Sequence, residues 1–457
     1  MNKNVLGIDL GTSSVKVLQK FYDGRTQRIK KSYSEISCKG WWDAVCEAVS
    51  NLDLTQTVAI GLSSQVGTYI VNGSDVISWN SGVGAEEVRE IKKNYPQELF
   101  LREISMDHPN IASYPIPRLK YINGKYGKIT SVCQPKDYLC GQLTGNWVTD
   151  PYSWRGLANL EKAAYSPFFL KELGIEPQVL PKMIGEGMCA GTTKKIEKVL
   201  PAGIPVYVGL NDFYASLLGM GVGKPGQMFD ISGTSEHLGM IEDRVNRGTS
   251  LVSGPYLRGN THYGVTASSG ASNAFALRLS DSGTFDLEQV RKGKPPIFLP
   301  YLNGERAPIW DADARGMFFG IGENCSREDM AYAVFEGVVF SLYHIYETMG
   351  SPKAETMTVT GGAAVNDSLN LLKAEMFGIP VTVPEERDTS ALGAALIAAV
   401  GAGWYSDLDT AVARWVKIEK TVTPTGTHNT WLQKRYALYK QLYPAVKNQH
   451  QKLKELS

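Results

Sequence analysis

The chain has 457 residues, and its 47 Lys and Arg residues against 46 Asp and Glu residues give a formal net charge of +1. This length is enough for two or three domains, and the balanced charge gives no long-range positive field that would favour binding to a nucleic acid. No segment reaches the about 18 consecutive apolar residues of a membrane span, and the six cysteines lack the Cys-x-x-Cys spacing typical of a zinc site. The chain starts with a strand rather than a secretory signal, so we expect a cytoplasmic protein without a nucleic-acid or membrane partner.

The first half of the chain predicts a β-hairpin, a third strand, a covering helix and a fourth strand. These elements are expected at 5–9 and 15–18, at 28–33, at 40–52 and at 58–62. Short apolar runs bounded by turn residues indicate the strands, and apolar residues at helical spacing indicate the helix. A further strand at 206–209 leads into a helix over 213–220.

Several glycines around residue 220 predict a domain boundary. After it, the pattern of the start returns, with a strand at 228–231, a Gly-Thr-Ser turn and a strand at 237–241. The later elements are expected as strand 357–360, turn 361–364, helix 368–377, strand 380–383 and a helix of small residues at 391–403. The sequence therefore predicts two domains of the same plan, over residues 1–220 and 221–457.

Two turns of glycine and hydroxyl residues, each placed after an apolar strand, indicate phosphate binding. They are Gly11-Thr12-Ser13-Ser14 and Gly233-Thr234-Ser235. Glycine allows a tight turn, and backbone N–H and hydroxyl groups can then surround phosphate oxygens. The glycine runs Gly7–Gly11 and Gly219–Gly223 lack the Gly-x-Gly-x-x-Gly spacing of a dinucleotide-binding dehydrogenase. The repetition predicts a nucleotide held between two lobes.

Five segments of the chain resemble motifs of the FGGY family of carbohydrate kinases. They are Gly7-Ile8-Asp9-Leu10-Gly11-Thr12, Gly209-Leu210-Asn211-Asp212, Gly233-Thr234-Ser235, the run from Tyr301 to Gly316, and Thr360-Gly361-Gly362-Ala363. The resemblance covers nearly the whole chain. It implies an α/β fold of two RNase H-like lobes, as in actin, hexokinase and Hsp70-type ATPases, with a cleft for ATP and sugar between them. It also implies that 1–220 binds the sugar and that 221–457 binds the nucleotide.

The resemblance assigns roles to individual residues. Asp212 matches the family's general base, which accepts the proton of a sugar hydroxyl, and Asp9 matches the aspartate that holds Mg²⁺ through water. The residues that match the ATP site are Gly11, Thr12, Ser13, Ser14, Lys16, Gly233, Thr234, Gly270, Gly362 and Asn366. Those expected at the sugar are Gln65, Trp79, Asn211 and Asp212. ATP and Mg²⁺ are the implied cofactors.

Most of these residues also have a structural alternative. Asn211 and Asp212 could cap the helix that follows them, because Asn and Asp are common at helix N-termini. The glycines could serve turn geometry alone, and Lys16 could be an ordinary solvated lysine. Trp79 could form an apolar wall for the sugar or belong to the core.

The expected sugar side departs from the family pattern. Where xylulose kinases have Gly-Gln-Met-His-Gly, this chain has Ser63-Ser64-Gln65-Val66-Gly67-Thr68, which keeps the glutamine and lacks the histidine. The usual Trp-x-Asp-x-Arg appears as Trp79-Asn80-Ser81-Gly82-Val83, without the acid or the arginine. Since a site built on hydroxyl hydrogen bonds discriminates strongly when its polar groups change, we expect a different sugar or a different mode of binding.

The combined expectation is an ATP-dependent kinase for a hydroxyl of a ketose or related polyol, a small-molecule substrate. A xylulose-like sugar is favoured because the run 301–316 looks closest to xylulose kinases, with sedoheptulose kinases next. Sedoheptulose, ribulose, gluconate, glycerol and erythritol stay open, as does a non-catalytic, nucleotide-dependent sugar-binding regulator. A homodimer is also left open.

Overall fold

A computed structural model describes residues 3–247, 250–280 and 282–456 of the chain. Up to residue 221 the strands are β1 (Asn4–Leu10), β2 (Ser14–Phe21), β3 (Thr26–Ser32), β4 (Thr57–Ser64), β5 (Tyr69–Val71), β6 (Asp75–Ile77), β7 (Val132–Cys133), β8 (Val148–Thr149), β9 (Ala158–Asn159), β10 (Ala164–Tyr165), β11 (Lys182–Met183), β12 (Cys189–Thr192) and β13 (Pro205–Tyr207). The helices are α1 (Cys38–Ser50), α2 (Ala85–Asn94), α3 (Gln97–Ile104), α4 (Pro115–Lys125), α5 (Pro135–Thr144), α6 (Pro167–Glu172) and α7 (Asp212–Gly219).

Beyond residue 221 the strands are β14 (Met228–Ser232), β15 (Glu236–Glu242), β16 (Val252–Tyr256), β17 (Gly259–Val265), β18 (Ile297–Leu299), β19 (Met317–Phe319), β20 (Met357–Gly361), β21 (Val381–Pro384) and β22 (Ile418–Val422). The helices are α8 (Ser269–Leu279), α9 (Leu287–Gly293), α10 (Arg327–Thr348), α11 (Asp367–Phe377), α12 (Thr389–Gly401), α13 (Leu408–Trp415) and α14 (Asn429–Glu455). Short 3₁₀ turns lie at Pro177–Val179 and Gly362–Val365.

Side-chain caps explain where several helices begin. Ser37 Oγ accepts a hydrogen bond from the N–H of Gly40 at 3.1 Å and starts α1. Ser326 and Asp329 cap α10 reciprocally, each accepting from the backbone N–H of the other. Such caps satisfy N–H groups that have no partner inside the helix, so the chain leaves each preceding loop at a defined residue.

The chain divides into two compact units. The first comprises Met1–Gly221 with Asp388–Val416, and the second comprises Val222–Arg387 with Lys417–Ser457. The expected division after residue 220 differs from this in the segment 388–416, which carries α12 and α13. Helix α12 packs on β1, β4 and α7 of the first unit.

The first unit is built on a six-stranded sheet of order β12-β13-β4-β1-β2-β3. Strands β1, β2 and β3 form an antiparallel meander, and β4 runs parallel to β1. The small residues of α12 allow it to approach this sheet closely, since a Cβ on Gly7 would lie 1.9 Å from the carbonyl oxygen of Ala391. This contact explains why the segment belongs to the first unit.

The second unit repeats that plan in a seven-stranded sheet of order β16-β17-β15-β14-β20-β21-β22. Strands β14 and β15 form an antiparallel hairpin, β17 lies antiparallel beside β15, and β20 runs parallel to β14. Buried residues of α10, α11 and α14 form a large core with the strands of this unit. The prediction of two α/β lobes with one plan is confirmed. Within the described residues, every helix is too short or too polar to cross a membrane.

Candidate active site

Polar side chains gather at one edge of the sheet in the first unit. Asp9, near the end of β1, lies opposite Ser63 of parallel β4 and opposite Lys16 of antiparallel β2. The last residue of β4 forms a bridge with Asn211, which directly precedes Asp212. The charges of Asp9 and Lys16 both act on the carboxyl of Asp212. The carboxyl ends of neighbouring parallel strands, where ligand sites of α/β sheets are found, thus bring these groups together.

Asp9 is a buried carboxylate with one oxygen unused. Its Oδ2 accepts a hydrogen bond from Ser390 Oγ at 2.6 Å, whereas its buried Oδ1 has no hydrogen-bond partner. Burial raises the pKa of Asp9, and the charge of Lys16 opposes that rise. A lone carboxylate oxygen suits Mg²⁺, which binds through few carboxylates and keeps several of its waters. The residues present at Asp9 therefore fit a Mg²⁺ ion.

Lys16 connects three carboxylates of the first unit. Its Nζ lies 3.1 Å from Asp388 Oδ1, and both side chains are 29% exposed. Burial lowers the pKa of Lys16, but the charges of Asp9 and Asp388 outweigh that effect and raise it. Lys16 is therefore ion-paired with Asp388 and feels the charges of Asp9 and Asp212, and its contact with phosphate stays a prediction.

Sequence reasoning missed two residues of this cluster, Asp388 and Ser390. They lie directly before and within the first turn of α12, more than 370 positions from their partners Lys16 and Asp9. An acid and two hydroxyl residues, Asp388-Thr389-Ser390, immediately precede the predicted small-residue helix, and that polar start could have drawn attention to them.

Asp212 has a pKa suited to proton transfer. Burial, followed by the negative charge of Asp9, raises the pKa of Asp212 to about 7, although the N–H of Phe213 and the charge of Lys16 oppose the rise. Phe213 donates its N–H to Asp212 Oδ1 at 2.8 Å. A carboxylate whose pKa lies near the working pH is ionised often enough to accept a proton and basic enough to do so efficiently.

The cap of α7 is Asn211 rather than Asp212. Asn211 Oδ1 accepts from the N–H of Tyr214 at 3.1 Å, and its Nδ2 donates to the carbonyl of Tyr152 at 3.0 Å. The structural alternative therefore applies to Asn211, and direct sugar binding by this amide stays a prediction. Asp212 is the first residue inside the helix, so capping does not explain its presence.

Gln65, Trp79 and the first turn are linked by hydrogen bonds. Thr68 Oγ1 donates to Gln65 Oε1 at 3.4 Å and accepts from the backbone N–H of Trp79 at 3.1 Å. The indole N–H of Trp79 donates to Thr12 Oγ1 at 3.1 Å. Gln65 is buried, and its Nε2 has no hydrogen-bond partner. The structure thus places the candidate sugar residues beside the first candidate phosphate turn.

An arginine outside the expected motif reaches this region. Arg118 of α4 is fully buried and donates from Nη1 to Ser81 Oγ at 3.0 Å and to the carbonyl of Ser78 at 3.2 Å. Its guanidinium lies 5.9 Å from the ring centre of Tyr69, and its Nε and Nη2 have no hydrogen-bond partner. The segment after Trp79, which lacks an arginine of its own, is therefore contacted by one from a helix 37 positions later.

The first turn is held from both sides. Gly11 donates its N–H to the carbonyl of Ser14 at 3.0 Å, and the N–H of Tyr33 binds the carbonyl of Ser13 at 3.1 Å. The hydroxyl of Tyr33 also donates to the carbonyl of Gly11. Ser13 is exposed and Ser14 is buried, so Ser13 is the freer of the two to meet a phosphate.

The second turn lies in the second unit, between β14 and β15. Gly233 donates its N–H to the carbonyl of Ser235 at 3.0 Å, and Gly270 donates its N–H to the carbonyl of Thr234 at 3.2 Å. A Cβ on Gly270 would lie 2.6 Å from the carbonyl oxygen of Gly233. Gly270 is thus brought against Gly233 and Thr234, and close backbone approach explains why the position is glycine.

Gly362 and Asn366 follow β20 in the same unit. A Cβ on Gly362 would meet no atom within 4 Å, so packing does not require glycine there. Asn366 caps α11, because its Oδ1 accepts a hydrogen bond from the N–H of Leu369 at 3.1 Å. Its Nδ2 donates to the carbonyl of Gly283 at 2.8 Å. Asn366 therefore has a structural role, and contact of either residue with adenosine stays a prediction.

Comparison with known proteins assigns the chain to a family. The N-terminal domain of the FGGY family of carbohydrate kinases matches residues 4–219, and the C-terminal domain matches residues 231–402. The chain belongs to the FGGY family of carbohydrate kinases. It is therefore a carbohydrate kinase, that is, a phosphotransferase with an alcohol group as the acceptor.

This FGGY kinase is similar over nearly its full length to proteins that are named as kinases of different substrates. It is 29% identical to a xylulose kinase of Staphylococcus xylosus, with 96% of this chain and 99% of that protein covered. It is 26% identical to a glycerol kinase of Thermococcus kodakarensis, with 98% and 97% covered. The crystal structure of a ligand-bound xylulose kinase from Lactobacillus acidophilus matches with a TM-score of 0.87 at 24% identity, covering 99% of this chain and 100% of that one. The structural match supports the fold.

Proposed function

We propose that this FGGY kinase transfers the γ-phosphoryl group of ATP to a hydroxyl of a ketose, with xylulose as the first candidate. Several curated relatives that match over nearly their full length carry the name xylulose kinase. The observation that carries the proposal is Asp212, a carboxylate with a pKa of about 7 beside Asp9 and Lys16. Phosphoryl transfer needs positioning, charge neutralisation and a group that accepts the hydroxyl proton, and this cluster offers all three.

In the proposed mechanism, Asp212 accepts the proton of the attacking sugar hydroxyl. The N–H of Phe213 holds Asp212 Oδ1, which fixes the direction in which the carboxyl group faces. Lys16 and the turn from Gly11 to Ser14 neutralise and orient phosphate oxygens. Asp9 would hold Mg²⁺, which when bound supplies positive charge to the phosphates. In the second unit, the backbone at Gly233 and the hydroxyl of Thr234 bind β- and γ-phosphate oxygens.

Sugar recognition is assigned to Gln65 and Trp79. The buried Nε2 of Gln65 has no partner in the protein, and a buried donor without a partner costs free energy that a sugar hydroxyl would recover. Trp79 is half-buried and fixed through its indole N–H, so its ring can serve as a rigid apolar wall. This pair suits a polyhydroxylated chain with an apolar face, which describes ketoses and related polyols alike.

The experiment is a measurement of ADP release with Mg-ATP and a panel of acceptors. The panel contains xylulose, ribulose, sedoheptulose, gluconate, glycerol and erythritol. We expect the highest kcat/KM with xylulose, and mass spectrometry of the product identifies the sugar phosphate. If another acceptor has the highest kcat/KM, the proposed substrate changes but the assignment as a sugar kinase remains. ATP binding without phosphorylation of any acceptor would support a nucleotide-dependent regulator instead.

A further inference from the structure

A buried group of three ionisable side chains lies inside the second unit, apart from the residues discussed above. Lys373 of α11 donates from Nζ to Glu236 Oε1 at 2.8 Å and also to Asp230 Oδ2. Each of the three side chains is at most 1% exposed. We call Lys373, Asp230 and Glu236 the buried triad.

The buried triad connects the two strands that carry the second turn. Asp230 and Ser232 lie on one face of β14, and Ser232 pairs with Glu236, the first residue of β15. Between Ser232 and Glu236 lie only Gly233, Thr234 and Ser235. Lys373 thus binds a carboxyl group on each strand immediately behind the turn.

Electrostatics make this arrangement unusual for a purely structural core. Burial and the neighbouring Glu236 raise the pKa of Asp230 to about 8, so near neutral pH this carboxyl is largely protonated and the triad holds one ion pair, Lys373 with Glu236. Burying that pair carries a desolvation cost, and apolar side chains of similar volume often stabilise a core as well or better. Burial lowers the pKa of Lys373, but the two carboxyl groups outweigh this and keep it protonated. The same lysine lowers the pKa of Glu236 despite its burial. What the triad provides, and apolar packing would not, is a directional connection between the two strands.

The same face of β14 bears a second directional contact. Ser232 Oγ donates to the carbonyl of Thr360 at 2.9 Å and accepts from the N–H of Ala363 at 3.0 Å. On the other side of the turn, Gly270 holds the carbonyl of Thr234. The backbone of the second turn is therefore constrained on several sides, and of these contacts the one made by Lys373 involves charged side chains.

We propose that Lys373 is a positioning residue for the second phosphate turn, acting through Asp230 and Glu236. It holds the two strands at a fixed separation, so that the N–H groups and hydroxyl of Gly233, Thr234 and Ser235 are preorganised for phosphate. Preorganised donors bind phosphate more tightly, because their conformational entropy is already lost on folding and not on binding. The inference rests on the proposed function, in which Gly233 and Thr234 contact phosphate.

The test compares nucleotide binding by Lys373→Met with that of a matched control. Arg435→Met is the control, because Arg435 also forms an ion pair with a buried carboxylate in this unit, with Nε 2.6 Å from Glu336 Oε1, and this pair joins α14 to α10 rather than β14 to β15. Calorimetry measures the dissociation constants of AMPPNP and adenosine on the full chain, and thermal unfolding measures stability. We expect Lys373→Met to weaken AMPPNP about tenfold or more and adenosine by less than about twofold. Arg435→Met should lose stability without this phosphate-specific effect.

Two further variants keep each outcome informative. If Lys373→Met does not fold, the combined variant Asp230→Asn, Glu236→Gln and Lys373→Met removes all three ionisable groups at nearly constant shape, and it should show the same selective loss. Unchanged AMPPNP binding in a folded triad variant overturns the inference. Thr234→Ala separates the two proposals: if it leaves AMPPNP binding unchanged, the second turn does not bind phosphate and the proposed function fails there. If Thr234→Ala weakens binding and the triad variants do not, only the positioning role fails.

Discussion

Replacing Asp212 with Asn should abolish sugar phosphorylation and at the same time stabilise the fold at alkaline pH. Asn keeps the oxygen that accepts the N–H of Phe213, so the local hydrogen bond survives. It removes the negative charge that burial and Asp9 disfavour. Activity and stability therefore change in opposite directions, which is characteristic of a residue kept for function.

The size of the stability effect follows from the pKa. The native pKa of about 7 lies above the ordinary value of 3.8, so the folded protein binds the proton more tightly than the unfolded chain. The native state is then favoured below pH 4 and loses this advantage as the pH rises to about 7. Above that pH the difference in favour of Asp212→Asn reaches at most on the order of 4 kcal/mol, and it is smaller to the extent that water screens the partly exposed Asp212 side chain.

The pH dependence of the wild-type activity should follow the same ionisation of Asp212. With a pKa of about 7, roughly nine-tenths of Asp212 is ionised at pH 8 and roughly one-tenth at pH 6, so kcat/KM should fall about tenfold between them. The assays are ADP release against pH for the wild type and urea unfolding of both proteins at pH 4 and pH 8. Equal stabilities at pH 8, or activity that stays level down to pH 5, would refute the reasoning.

Three other predictions concern the neighbouring charges and the glycines. Asp9 raises the pKa of Asp212 and Lys16 lowers it. Asp9→Asn should therefore move the acidic limb of the pH–activity profile to lower pH, and Lys16→Met should move it to higher pH. Shifts of the two variants in the same direction would contradict this. Gly270→Ala places a Cβ 2.6 Å from the carbonyl of Gly233, so calorimetry should show weaker AMPPNP binding together with a lower Tm. Gly362→Ala should leave the Tm unchanged, because a Cβ at this position meets no atom within 4 Å. If Gly362 lines the adenosine site, the added methyl group should weaken adenosine binding, and unchanged binding would remove Gly362 from the nucleotide site.

Local patterns predicted the elements and the first candidates well. Apolar runs and glycine-hydroxyl turns identified β1, β2, β14 and β15, because a strand and a turn are decided by neighbouring residues. The motif around Asp212 also marked a residue that the structure places in a charged cluster with Asp9 and Lys16. Here the sequence was informative because the residue types and their strand-end position appear together within a few positions.

Contacts between distant segments were beyond the same reasoning. The bond from Ser390 to Asp9 spans 381 positions, and the bond from Lys373 to Asp230 spans 143. The sequence around Ser390 and around Lys373 contains no pattern that identifies the residue each one contacts. The place of α12 in the first unit likewise depends on the fit of Gly7 against Ala391, which only the packed structure shows. A lysine in a helix and two acids in a hairpin appear in the sequence as ordinary surface residues.

The most direct test of the central claim is the stoichiometry of phosphoryl transfer by the wild type and Asp212→Asn. Each protein is incubated with Mg-ATP and xylulose, and ADP and sugar phosphate are quantified by mass spectrometry. We expect one sugar phosphate for each ADP with the wild type, and a loss of transfer by about 10²-fold or more with Asp212→Asn while AMPPNP still binds. Near wild-type transfer by Asp212→Asn would contradict the assignment of the base.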